Sequence, residues 1–505
     1  MTGLFGSLGT ATGGMSANQV ALQTSSHNIA NTNTDGYSRQ RVNLQTKQPY
    51  YLPGAGTIGT GVKVNSVQRV VDDFVIGQVR NANSKYTYYD QKADILGQLE
   101  GILNEPSDNG LSKQLSTMFD AWTTLANNPE LDTAKSLVLE NSSTLADIIN
   151  QMSSQMKQLQ GDTVDDIEKT ALDFNEKIKQ LESLNEQIYS LATDGQTSND
   201  LLDLRDNLLK DLSGLAPIET SFDQYGRGHV SIGGQTILKP GERNTISVAM
   251  GKNADGQTLV SKDGNSLNPR EAIDGDYPAG TILINKTAED GTTGYEELPI
   301  KEGTIGGLQV SVTEIGNRLS ELNNFATTIA KAVNTIFTSG NPNATGLFEF
   351  GEGDAAGTIK VSQKVIDDPT LLQAGKTGES GDGSRAAAMA KLRNAKLDFP
   401  LSDETIASFD PDTLTFKNDS GMTCDSYFNS IVTKNGISKQ QADNTASAQL
   451  SLLNQLEYRN QSVSGVSINE EMSDVIRFQQ GFQANARIIS VVSEMLDTLI
   501  NRTGV

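Results

Sequence analysis

A single cysteine, Cys424, leaves this 505-residue chain without the second thiol that an internal disulfide needs. Histidine is almost as scarce. His27 and His229 stand alone, with no second His, Cys or carboxylate at metal-ligand spacing and no HExxH motif, so no zinc or other metal site is expected. In residues 217–307 no carboxylate pair at hydrolase spacing is visible, and no cofactor is expected. Basic residues are outnumbered, 40 Lys and Arg against 62 Asp and Glu, for a net charge of −22. That balance argues against nucleic acid as a partner and, without a basic patch, against an anionic membrane surface. No apolar run approaches the roughly 20 residues of a membrane-spanning helix. The first 31 residues do not read as a secretory signal: they lack a basic start, and Gly, Ser, Thr and Asn separate their apolar residues.

Charge is also missing locally. No charged residue precedes Asp35, and residues 1–70 hold Arg39, Arg41, Lys47, Lys63 and Arg69 against Asp35 alone. An uncharged start suits a segment that is packed away, while the acidic remainder suits a solvated exterior.

What is present is a pair of narrow apolar stripes, one at each end. From Ser467 to Asn501 the stripe runs Ile468, Met472, Val475, Phe482, Ala486, Ile489, Leu496 and Ile500, with Gln479 and Ser493 filling its two remaining positions. Ser467-Ile468-Asn469-Glu470 opens it with the pattern of a capping box. At the other end Leu4, Leu8, Ala11, Met15, Asn18, Leu22, Ser25 and Ile29 follow the same four-three spacing. Such stripes call for a partner helix rather than a broad core, so the ends are expected to pair, coiled-coil-like. Gly3, Gly6, Gly9, Gly13 and Gly14 each cost about 1 kcal/mol in a helix interior, so the first helix is expected to hold only when packed.

Between the ends the periodicity predicts helices from Val75 to Leu103, Leu111 to Leu125, Ala134 to Leu159, Val164 to Leu191, from Asn199, and over 308–337, 386–395 and 440–460, with loop over 398–421. Residues 217–307 are rich in Gly, Thr and Asn with short alternating strands. Gly54-Ala55-Gly56-Thr57-Ile58-Gly59 fits a dinucleotide-binding pattern, but Pro49 and Pro53 precede it and a strand pattern follows, so it reads as a turn.

The residues after the first stripe carry a resemblance. Asn28-Ile29-Ala30-Asn31, Asn33-Thr34, Gly36-Tyr37 and Ser38-Arg39-Gln40 resemble the N-terminal signature of flagellar rod, hook and hook-associated axial proteins. Gly59-Thr60-Gly61-Val62 and Val67-Gln68-Arg69 continue it. Arg477-Phe478-Gln479-Gln480 and Gln483-Ala484-Asn485-Ala486-Arg487 are similar to the family's C-terminal helix, and Asn199 to Asp206 to its hook-associated members.

The resemblance implies a mainly α, discontinuous multidomain axial protein. Residues 1–36 with 466–505 would form the paired terminal helices of an inner core. Residues 37–216 with 308–465 would form a long-helix bundle, and 217–307 a small outer β domain. It implies a structural, non-enzymatic subunit at the hook–filament junction that adapts flexible hook to rigid filament. It would be extracellular, secreted by flagellar type III export without a cleaved signal. Its partners would be copies of itself in a ring or helical oligomer, the hook protein, the next hook-associated protein toward the filament, and an export chaperone, with no small-molecule substrate. The assembly residues would be Leu4, Leu8, Met15, Leu22, Asn28, Ile29, Asn31, Gly36, Tyr37, Arg39, Phe478, Phe482, Ile489 and Leu496. Two other readings stay open: a hook or distal-rod subunit, and an axial protein with an enzymatic or adhesive insertion in 217–307.

Overall fold

The computed structural model describes residues 3–502 except 53, 55, 109, 196–197, 262–269, 288–292, 340–344, 378, 380 and 419. The chain begins with α1 (Leu4–Ala30), β1 (Gln40–Thr46), β2 (Tyr50–Leu52), β3 (Gly56–Ile58) and β4 (Val62–Arg69). There follow α2 (Asp73–Leu103), α3 (Leu111–Asn127), α4 (Asp132–Thr193) and α5 (Asn199–Leu215). Strands come next: β5 (Glu219–Phe222), β6 (Gly228–Ile232), β7 (Gln235–Lys239), β8 (Glu242–Arg243), β9 (Thr245–Lys252), β10 (Thr258–Ser261), β11 (Glu271–Ile273), β12 (Ile282–Thr287) and β13 (Thr293–Glu297). Then come α6 (Gly303–Phe337), β14 (Phe348–Glu349), α7 (Ala355–Thr358), β15 (Lys360–Val361), α8 (Gln363–Asp367), α9 (Ser384–Leu392), α10 (Asp403–Ala407), β16 (Phe409–Asp410), β17 (Thr415–Phe416), α11 (Cys424–Ser464) and α12 (Ile468–Asp497).

The fold is mainly α with long helices at both ends and a β-rich stretch between, as expected. It differs from expectation in three places. The two helices expected over 134–191 are one, α4, of 62 residues. Gly161 costs only about 1 kcal/mol there, and the buried stripe Met152, Met156, Leu159, Val164, Ile167 and Ala171 continues across it. Helix α11 begins at Cys424, sixteen residues earlier than its periodicity suggests, because Phe428, Ile431 and Asn435 are buried and Asn435 Nδ2 donates to the Leu96 carbonyl at 3.2 Å. The loop expected over 398–421 contains α10 and the β16–β17 hairpin.

The chain divides into two compact units. One holds residues 1–85, 174–244 and 448–505, the other 86–173 and 245–447, so α2, α4 and α11 have residues in both. In the first unit β1 and β4 form an antiparallel ribbon, and β5 to β8 form a four-stranded antiparallel sheet in chain order. That sheet is held to α4 by Asn185, which exchanges two 2.8 Å hydrogen bonds with the backbone of Gly228. The turn reading of Gly54 to Gly59 holds: β2 and β3 form a hairpin in which Gly54 and Gly56 have φ of +88° and +85°, with Ala55 outside the described residues.

In the second unit a five-stranded antiparallel sheet has the order β11-β10-β9-β12-β13. The β-rich stretch therefore forms two sheets, parted between Asn244 and Thr245. The helical core of this unit buries Leu111, Leu115, Met118, Phe119, Trp122 and Leu125 of α3, the stripe read from sequence. Beside it Phe325 and Phe428 pack at 5.6 Å between ring centroids, and Phe399 stacks on Tyr427 at 3.9 Å.

Candidate assembly interface

Helix α12 packs on α1 through positions 471, 475, 478, 482, 485, 489, 492 and 496, a strict four-three alternation. Glu471 and Val492 are buried, and Val475, Phe478, Phe482, Asn485, Ile489 and Leu496 are half-buried. The expected stripe shares 475, 482, 489 and 496 but is rotated at the alternate positions. Gln479 and Ser493, expected in the seam, are exposed, as are Ile468, Met472 and Ile500; Phe478 and Val492 take the inner places. The rotation replaces Gln479 and Ser493 by Phe478 and Val492, and Met472 and Ala486 by Glu471, which meets a cation described below, and Asn485, which meets Gly14.

Two glycines set the approach. A Cβ on Gly14 would lie 2.8 Å from Asn485 Oδ1, and one on Gly481 would lie 2.7 Å from Asn18 Oδ1. Each asparagine also donates through Nδ2 to the glycine carbonyl four residues back, Asn18 to Gly14 and Asn485 to Gly481, both at 2.8 Å. Residue 14 faces 485 and 18 faces 481, so the helices run antiparallel. The glycines that weaken α1 alone thus allow backbone contact when it is paired. Gly6 and Gly9 face open space.

Helix α1 has a second face that the apolar stripe does not reveal. Gly13, Ala17, Ala21, Thr24 and Asn28 recur at steps of four, four, three and four; Ala17, Ala21, Thr24 and Asn28 are buried. A Cβ on Gly13 would lie 2.8 Å from the Val62 carbonyl oxygen, and one on Gly61 would lie 3.1 Å from Thr10 Cα, so this face lies against the ribbon. Its sequence signal is small residues at helical spacing, which a search for large apolar residues passes over.

The turn after α1 is closed by Asn28. Its Oδ1 accepts from Tyr37 Oη at 2.8 Å and from the Gln40 amide at 3.0 Å, while Nδ2 donates to the Gln40 carbonyl at 2.9 Å. Burial, then Asp200, Asp203 and Glu471, raise the Tyr37 phenol well above its ordinary range, so it stays a donor. Asn31 Nδ2 caps the end of α1 by donating to the His27 carbonyl at 3.0 Å. Gly36 has φ +71°, and a Cβ there would collide with Asn207 of α5. The Ser38 amide donates to Asp203 at 3.1 Å and Gln40 Nε2 to Asp200 at 2.8 Å, so the start of α5 holds the turn.

Two arginines complete the join. Arg39 Nε donates to Glu471 at 2.7 Å and Nη1 to Glu470 at 3.1 Å, with Asp474 at 4.0 Å. Its amide donates to the Ser464 carbonyl at 2.8 Å. Glu470 is drawn to Arg39, and the capping box expected at Ser467 does not form: Ser467 makes no side-chain cap bond. Arg69 Nη1 donates to Asp203 and Asp206, both at 2.8 Å. Burial works against its charge, but Asp206 and Asp203 outweigh it and raise its pKa.

Of the residues named from sequence, Leu4, Leu8, Met15, Leu22 and Ile29 are half-buried along α1, and Phe478, Phe482, Ile489 and Leu496 are half-buried in the α12 seam. Asn28, Asn31, Gly36, Tyr37 and Arg39 form the turn, Asn28 buried, Gly36 exposed and the rest half-buried. The sequence reading missed Glu471, Asp203 and Asp206; Glu470-Glu471 at a helix start and the carboxylates of Asn199 to Asp206 were the available signal. Among the described residues no group of His, Cys, Asp and Glu could hold a metal ion, and no helix is long and apolar enough to cross a membrane.

Comparison with known proteins matches this architecture piece by piece. The family model for the flagellar hook-associated protein FlgK helical domain matches residues 96–347. The model for the flagella basal body rod protein matches 8–37, and that for the C-terminal region of the basal body rod FlgEFG proteins matches 460–502. Flagellar hook-associated protein 1 of Bacillus subtilis (strain 168) is 31% identical over 541 residues, covering 100% of this chain and 99% of that one. Its counterpart in Salmonella typhimurium is 24% identical, covering 97% and 98%. The solved flagellar hook junction protein FlgK of Burkholderia pseudomallei shares the fold, with a TM-score of 0.57 at 15% identity over 77% of this chain and 100% of that one. The chain belongs to the flagellar hook-associated protein 1 family.

Proposed function

We propose that the paired terminal helices are the assembling part of this subunit, and that the turn from Asn28 to Arg39 fixes how they join the rest of the chain. The chain is a structural subunit of the bacterial flagellum at the hook–filament junction. The rod-type models match only its ends, whereas the hook-associated relatives match it throughout, which favours the junction over the hook or rod.

The observation that carries the proposal is the apolar surface that α12 leaves uncovered. Ile468, Met472 and Ile476 on one flank of the stripe that packs on α1, and Ile488, Val491 and Met495 on the other, are all exposed. Exposed apolar surface of this extent marks an interaction site. In our reading residues 1–36 with 466–505 form the inner core of an oligomer, 37–216 with 308–465 surround it as a helical bundle, and 217–307 face outward. Hook protein lies on one side and the next hook-associated protein on the other. A chaperone shields α12 until flagellar type III export delivers the chain without a cleaved signal. We assign the chain no enzymatic activity. Electron microscopy of cells lacking the gene tests this: hooks of normal length without filaments, and filament protein shed to the medium, are expected. Cells without hooks, or with intact working flagella, refute it.

A further inference from the structure

The first 70 residues are positive in a chain of net charge −22, and the structure shows what two of their five cations do. Arg39 and Arg69 are spent on carboxylates of their own chain. Arg41 and Lys63 are not. In the ribbon, Gln40 pairs with Arg69, Arg41 with Gln68 and Asn43 with Ser66, and after a bulge Gln45 pairs with Lys63. Strand alternation puts Val42, Val62, Val64 and Val67 on the face toward α1, all half-buried, and Arg41 and Lys63 on the other face, both exposed. Neither enters an ion pair among the described residues. They lie about four residues apart along the ribbon, roughly 13 Å, on a strip that carries no acid.

We propose that this polar face of the β1–β4 ribbon docks, through Arg41 and Lys63, on an acidic helix surface of a second copy of the chain. The proposal rests on the reading that copies assemble, and it names where they touch. The argument for a second copy is charge complementarity within one sequence. On α4, Asp162, Asp165 and Asp173 are exposed, fall on one side of the helix by spacing and enter no ion pair within 4 Å among the described residues; the one cation among them, Lys169, is paired with Asp166, so the face stays acidic. They span roughly 17 Å, enough to meet both cations. Like charge keeps other pairings of this acidic chain apart, so a basic strip selects the partner face and its register.

Lys63→Cys supplies an exposed thiol in a chain whose only other one, Cys424, is buried. A thiol-directed photo-crosslinker on that variant, assembled into flagella in cells, is expected to attach to peptides of this same protein that carry the α4 acids. Attachment to any other protein, or to a part of this chain without exposed acid, overturns the proposal. So does an Arg41→Glu/Lys63→Glu variant that reaches hook ends in wild-type amount. The expected result is wild-type secretion, an unchanged urea midpoint and at least a fivefold loss from hook ends. Intact flagella in cells lacking the gene altogether would instead sink the junction reading itself, so the two failures are distinct.

Discussion

Three neighbouring glycines of α1 offer the same substitution in three surroundings. Gly9→Ala, Gly13→Ala and Gly14→Ala each gain about 1 kcal/mol of helix propensity. At Gly9 nothing lies within 4 Å of the new Cβ, so the full gain is expected, about a fivefold tighter closing of the helix. At Gly14 the new Cβ meets Asn485 Oδ1 at 2.8 Å; that side chain can swing away, but only by breaking its bond to the Gly481 carbonyl, about 1 kcal/mol, and the two terms cancel. At Gly13 the obstacle is the Val62 carbonyl oxygen, which belongs to the backbone of β4 and cannot rotate aside. Helix and ribbon must part there, a cost of about 1–3 kcal/mol against the 1 gained. Hydrogen exchange of the α1 amides reads these differences directly, with protection expected to rank Gly9→Ala first, wild type and Gly14→Ala together, and Gly13→Ala last. Equal protection in Gly13→Ala and Gly9→Ala would show that α1 does not lie on the ribbon in solution, and the account of its second face would fall.

Other outcomes follow from the turn and from the core. Asn28→Ala strands the Gln40 amide and carbonyl in a buried place and should cost about 2–4 kcal/mol in urea unfolding; a loss under 1 kcal/mol would mean water reaches them. Arg39→Ala leaves Glu471, with its side chain 2% exposed, without its cation, and should cost about 3 kcal/mol. A double-mutant cycle with Glu471→Ala checks it, and a coupling below about 0.5 kcal/mol would contradict the pairing. Burial, then Asp425, push the Cys424 thiol up to about 12, so at pH 8 it should resist alkylation in the native protein and react fully in denaturant. Rapid native labelling would place the start of α11 in solvent.

The terminal helices were legible because a four-three stripe survives any choice of partner, and so was the core of α3, whose large residues recur at helical spacing. The rotation of the α12 seam was not. Gln479 and Ser493 look like tolerable seam residues until Glu471 is seen to need Arg39, 432 positions away, and no local pattern encodes that pair. The N-terminal part of α11 was hidden for a related reason: Phe428, Ile431 and Asn435 owe their helical place to burial and to the bond from Asn435 to the Leu96 carbonyl, 339 positions away, which no local pattern shows. The turn residues Asn28, Gly36, Tyr37 and Arg39 stood out by resemblance, but their work depends on Asp200, Asp203 and Glu471, which tertiary structure alone brings near.

The contact between Arg39 and Glu471 also orders events in time. A chain emerging from its N-terminus has made α1, the turn and the ribbon long before Glu471 exists, and closing so large a loop is slow. Helix α1 therefore waits with its small-residue face on the ribbon but its apolar stripe bare until α12 arrives, and any product cut short before α12 keeps that stripe in water. Completeness of the polypeptide is sensed, in effect, by whether its first helix has found its last.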